Sequence, residues 1–98
     1  MSEAFIKLMA EHRRISILKA LRDGGQSNDS ILQTVCNDYG ISSDRDQIRT
    51  ALSWLRDQGL ANIRELDNGT MVATPTQSGI DAANGHKVVP GVKRPVAG

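Results

Sequence analysis

The chain has 98 residues, with twelve basic and eleven acidic side chains, one cysteine and three aromatics, which fits one domain with a thin aliphatic core and excludes two. The lone Cys36 excludes an internal disulfide and a multi-cysteine metal site, and it suits a reducing cytoplasm. No run approaches the roughly 20 apolar residues of a membrane span, no secretory signal is expected, and a net charge of +1 is the field of neither a strong nucleic-acid binder nor an acidic mimic.

The first predicted element is a helix over 3–23, capped by Ser2, with Glu3 at the positive end of its dipole and Gly24-Gly25 as its stop. Its apolar residues form two faces. Phe5, Leu8, Met9 and Ile15 lie on one, Ile17, Leu18 and Leu21 on the other. The second face is expected to pack on its own domain. The first is expected to form a homodimer interface or to meet the C-terminal segment.

A shorter helix over 27–38 follows, capped by Ser27 or Asn28, with Ile31, Leu32, Val35 and Cys36 as its apolar face. Asp38-Tyr39-Gly40 ends it, and Ile41 reads as an apolar plug. Ser42-Ser43 opens a third helix over 44–58, with Ser43 and Asp46 as a capping-box variant and Ile48, Leu52 and Leu55 inward. Gly59 stops it. The period then changes to that of a strand over 60–66, a turn at Asp67-Asn68-Gly69 and a return strand over 70–73. Thr74-Pro75 reads as the cap of a brief helix through Ala83, which Asn84-Gly85 ends. Residues 86–98, with two prolines and no periodicity, read as an extended basic tail appended to a domain of residues 1–85.

Two helices joined by a tight turn, then a hairpin and a short helix, predict a mostly α winged helix-turn-helix with a three-helix core and a two-stranded wing. In that arrangement the third helix is where a DNA reader places its side chains. Arg45, Arg49, Thr50 and Ser53 face outward behind Ser43, with Arg64 on the wing and Lys93 and Arg94 on the tail. The bland alternative is a solvated face on which Asp46 pairs with Arg49.

Charge placement weighs against strong DNA binding. Residues 27–60 hold three basic and five acidic side chains, and the hairpin tip carries Glu65 and Asp67 where a wing normally offers arginine or lysine. The tail carries Lys87, Lys93 and Arg94 without an acid. It is expected to track phosphates, to dock as an extended peptide on a partner or on its own domain, or to stay disordered, and to add binding strength rather than stability.

Trp54, beside the apolar stripe, reads as half-buried against another helix or as an interface anchor. His12 reads as a packed or edge histidine and Cys36 as core. His12 and His86 lack metal-ligand spacing, so no metal or cofactor is expected. No phosphate-cradling loop, nucleophile elbow or catalytic set is present, so no enzyme is expected.

Residues 15–83 resemble the winged-helix domains of bacterial regulators of the arsenic-repressor and multiple-antibiotic-resistance types, through IRTALSWLRDQGLANIRE (48–65) and TPTQSGIDAA (74–83). The whole chain more closely resembles a family of small proteins of Mu-like phages and prophages, through SSDRDQIRTALSWLRDQGL (42–60) and VPGVKRP (89–95). That resemblance implies a phage protein working in the bacterial host cytoplasm, from a family whose genes tend to lie near those for DNA packaging and head assembly. Two functions are therefore expected as alternatives. One is a DNA-binding regulator or accessory of phage DNA transactions, with weak and salt-dependent affinity. The other is a protein–protein adaptor that uses the scaffold without nucleic acid.

Overall fold

The computed structural model describes residues 2–95. In chain order these form α1 (Glu3–Gly24), β1 (Ser27–Asn28), α2 (Asp29–Asp38), α3 (Arg45–Asp57), β2 (Ala61–Glu65), β3 (Met71–Pro75) and α4 (Gln77–Ala83). The described chain is mostly helical, with one three-stranded antiparallel sheet in the order β1-β3-β2.

Local chemistry sets most boundaries. Ser2 caps α1 by accepting the Phe5 N–H at 3.2 Å, and Gly25 closes it in the left-handed conformation, its N–H returning to Leu21 O. The hairpin turn is held by Leu66 N–H to Thr70 O and Gly69 N–H to Leu66 O, both 2.8 Å. β2 and β3 pair from Ala61↔Pro75 to Glu65↔Met71, so Ala61, Met71 and Ala73 turn inward.

Three boundaries differ from the sequence reading. Ser27 and Asn28 form a strand paired to Ala73 and Val72 rather than the first turn of a helix, so the sheet has three strands, not two. The reason is that an N-cap residue has extended backbone, and Asn28, which caps α2 by accepting the Ile31 N–H at 2.8 Å, can also pair with a neighbouring strand. α3 is capped by Asp44, not Ser43. Asp44 accepts from Gln47 N–H at 2.7 Å while the Gln47 side chain accepts from Asp44 N–H at 2.9 Å, a reciprocal box that Asp46 cannot close. α4 is capped by Thr76, not Thr74. Thr76 Oγ1 accepts from Gly79 N–H at 3.1 Å and donates to Gly59 O at 2.7 Å, while Thr74 and Pro75 continue β3.

The core collects Ile17, Leu18 and Leu21 of α1, Leu32 and Cys36 of α2, and Ile48, Leu52 and Leu55 of α3, all fully buried. Leu60, Ala73, Ala82 and Ala83 complete it, and Ile41 plugs the turn between α2 and α3 as its apolar character implied. Burial of each such leucine or isoleucine contributes roughly 2 kcal/mol. At Gly79 a Cβ would overlap the Leu60 carbonyl oxygen, so only glycine lets α4 lie this close to the start of β2. Ile15 also belongs to this core. It was expected on a dimer face, but the helix turns it inward and leaves it 5% exposed.

Candidate interaction surface around the third helix

α3 buries Ile48, Ala51, Leu52 and Leu55 and presents its other side next to two structures, the hairpin and the N-terminal half of α1. On the hairpin side the geometry is dominated by Asp29, the first residue of α2, which is 0% exposed. Its Oδ2 accepts from Arg49 Nη1 at 3.0 Å and from Arg45 Nε and Nη2 at 3.4 Å, and the Met71 N–H of β3 points to it at 3.4 Å. Burial pushes this carboxyl up, but the Met71 N–H and the two guanidiniums outweigh it and hold the group below the usual carboxylate range.

Arg49 reaches further. Its Nη1 donates to Gly69 O at 2.6 Å in the hairpin turn, and its Nη2 lies 3.4 Å from Glu65 Oε1. Arg49 therefore ties α3, α2 and the hairpin together, and it does not pair with Asp46 as the solvated-face reading supposed.

The residues singled out as DNA-facing are not all free and exposed. Arg45 and Arg49 converge on Asp29. Ser43 is buried, donating to Ile41 O at 2.8 Å and accepting from Arg13 Nε at 2.7 Å, so it has no free hydroxyl to offer. Thr50 is exposed and Ser53 half-buried. Arg64 is exposed on β2, and Lys93 and Arg94 are exposed at the end of the segment docked on α1, with the Lys93 N–H directed at Glu11 O at 3.3 Å.

That tail segment is packed structure. The Arg14 guanidinium lies 4.0 Å from the centroid of the Trp54 ring and donates to Gly91 O at 2.8 Å. Gly91 has φ 94°, and a Cβ there would lie 2.6 Å from the ring, so glycine is required twice over. Val92 is buried. Of the alternatives for the tail, docking on its own domain is the one seen for residues 89–93. Lysine and arginine made the segment look like a tether, whereas Val89, Gly91 and Val92 carry its contacts. Of the alternatives for Trp54, half-burial against α1 is the one seen, through Arg14.

On its other side α3 forms a cleft of about 460 Å³ with the N-terminal half of α1. Phe5, Ile6, Met9 and Ala10 supply one wall, and Asp46, Gln47, Thr50 and Ala51 supply the other. Phe5 and Leu8, read as interface residues, are each 44% exposed, and Met9 is half-buried against the core.

Arg13, Asp29 and the Arg14–Trp54–Gly91 stack are the parts sequence reasoning missed. Arg13 is 7% exposed and donates from Nη2 to Ser42 O at 3.0 Å as well as to Ser43. Only its position four residues after Met9 on α1 hinted at an inward direction. Burial raises the Cys36 thiol to about 11, which fits a packed rather than a reactive cysteine. Among the described residues no group of histidine, cysteine and carboxylate side chains could hold a metal ion, and no helix is long and apolar enough to cross a membrane.

No family model matches the chain, and no solved structure does. Two relatives match at 40% identity. One is the uncharacterized protein gp26 of Escherichia phage Mu, aligned over 89 residues that cover 90% of this chain and 92% of that protein. The other is an uncharacterized protein of Haemophilus influenzae, aligned over 75 residues that cover 76% of this chain and 74% of that one. With nearly all of both chains aligned, this protein belongs to the family of the gp26 protein of phage Mu.

Proposed function

We propose that the chain is a protein–protein adaptor on a winged-helix scaffold, serving the head-assembly or DNA-packaging stage that its phage family implies. One observation carries this reading. The two arginines on the outward side of α3 are held by the buried Asp29, and Arg49 is bound to the hairpin as well. A guanidinium anchored to a buried carboxylate gives up an existing ion pair to meet a phosphate, so little net attraction is gained. Beside these arginines stand the exposed Asp44, Asp46, Glu65 and Asp67, while the apolar cleft lies open. An open apolar cleft beside an acidic surface suits a protein better than DNA.

DNA binding is the second reading, favoured by one feature. Arg64, Lys93 and Arg94 are exposed and form no ion pair among the described residues. Titration of mixed-sequence duplex DNA with the parent chain, Arg49→Ala and Asp46→Ala separates the two. The adaptor reading expects affinity no tighter than roughly micromolar at physiological salt, with neither substitution moving it. Weaker binding by folded Arg49→Ala together with tighter binding by Asp46→Ala would make α3 a DNA reader and overturn the adaptor.

A further inference from the structure

We propose that the cleft between α1 and α3 receives an amphipathic helix of another protein whose apolar face is flanked by lysine or arginine. This deepens the adaptor reading and rests on it, adding the chemistry of the partner.

The cleft exists because Ala10 on α1 and Ala51 on α3 end at Cβ, so the two helices leave about 460 Å³ between them unfilled. Ala51 is buried, while Phe5 and Ile6 on the wall stay 44% and 54% exposed. A groove with a small-residue floor, a large apolar wall of Phe5, Ile6 and Met9 and a polar wall of Asp46, Gln47 and Thr50, open between two helices, fits the ridge of side chains along one face of an amphipathic third helix.

Its polar rim selects the flank of that helix. Arg13 and Arg14 also line the cleft but donate inward, Arg13 to Ser43 and Ser42 and Arg14 to Gly91 while stacked on Trp54. Asp44 and Asp46 on the opposite wall are exposed, and among the described residues neither forms an ion pair. Asp44 is engaged through Oδ1 as the cap of α3, so Asp46 is the free charge. A second copy of this chain fits the rim less well. A two-fold contact sets a patch against itself, so the acids of both copies would enter one interface. Cationic side chains beside an apolar face satisfy the rim and the cleft together.

The test uses two synthetic helix-forming peptides with leucine at i, i+3, i+4 and i+7, identical except that one is flanked by lysine and the other by glutamate. Each is dye-labelled and titrated with the full chain by fluorescence anisotropy. The lysine peptide is expected to bind roughly tenfold more tightly, and the gap should close as salt rises. Asp46→Lys should reverse the order. Ala10→Leu, which fills the cleft, should weaken both peptides by about tenfold or more. Thr50→Trp, a change at an exposed position of α3, serves the same purpose if Ala10→Leu does not fold.

If both peptides bind alike and the filled cleft rejects both, the cationic class is overturned and the adaptor reading stands. Binding that survives both filled-cleft variants places the site elsewhere and overturns the cleft. Failure of both peptides to bind overturns the proposal, as does a dimer in sedimentation that Ala10→Leu dissolves, which would make a second copy the occupant.

Discussion

The two halves of α1 have much the same sequence character and opposite fates. From Ile15 to Leu21 the apolar residues Ile15, Ile17, Leu18 and Leu21 are at most 5% exposed, because α2, α3 and α4 pack around them. From Phe5 to Leu8 the equally apolar Phe5, Ile6 and Leu8 are 44–54% exposed, with the leading turns of α3 facing Phe5 and Ile6 across the cleft. The C-terminal half is core because neighbours are available to cover it. The N-terminal half runs past most of them and keeps an apolar surface open to a ligand. Stability is therefore expected to reside in one half and recognition in the other.

The sharpest way to break this comparison is to truncate a leucine in each half. Leu18→Ala empties a fully buried site and should cost about 3 kcal/mol, whereas Leu8→Ala should stay within about 0.5 kcal/mol. Urea unfolding of the two variants checks this, and similar losses would mean that the overhanging half is not a free surface.

A somewhat smaller effect is expected at Asp29, which steadies α3 and so the second wall of the cleft. Asp29→Asn removes the buried charge that faces Arg45 and Arg49. Because both arginines are partly solvated, the loss should be about 2 kcal/mol rather than the larger figure for a fully buried pair. The sign of its pH dependence follows from the lowered carboxyl. A carboxyl that binds its proton more weakly in the folded state contributes fully above its unfolded value of about 4 and loses that contribution as the pH falls through its folded value. Chemical unfolding between neutral pH and pH 3 should therefore show the parent losing its advantage over Asp29→Asn below about pH 4. An advantage that persists undiminished there would remove Asp29 from this role.

A smaller loss than at Asp29 is expected at the seam between the halves, where the tail crosses α1 beside Glu11 and Arg14. Gly91→Ala puts a methyl group against Trp54 at a left-handed backbone position and should cost about 1 kcal/mol, or roughly 5 °C in Tm. An unchanged melt would show that the segment does not brace the helix. A drop beyond that of Asp29→Asn would make the tail, rather than Asp29, the principal brace of this surface.

Much of the fold was legible in the chain. The spacing of Ile48, Leu52 and Leu55, the plug at Ile41, the Asp67-Asn68-Gly69 turn and the stops at Gly24-Gly25 and Gly59 are signals carried within a few residues, and each was read as the structure has it to within a residue or two. The errors were also local. They came where two neighbouring residues could serve as cap, as with Ser43 and Asp44 or Thr74 and Thr76, and the choice depended on which side chain met a distant partner. Ser43 is taken by Arg13, thirty positions away, and Thr76 by the Gly59 carbonyl.

The candidate surface was far less legible. Arg45 and Arg49 were correctly placed on the outward side of α3, but an outward direction does not say whether a charge is free. Asp29 lies 16 and 20 residues from them, and its burial depends on how α2, α3 and β3 come together. The cleft likewise depends on two alanines from different helices, neither conspicuous by itself.

The sequence by itself determined the succession of helices and strands, the apolar face that each turns inward and the general balance of charge, because periodicity, caps and turn chemistry act over a few bonds. Only the tertiary structure decided which apolar face stays uncovered, which arginines are already paired and whether the basic tail is tether or brace. Burial and ion pairing belong to residues far apart in the chain, and their energies are defined only when packing brings them within a few ångströms and removes the water between them.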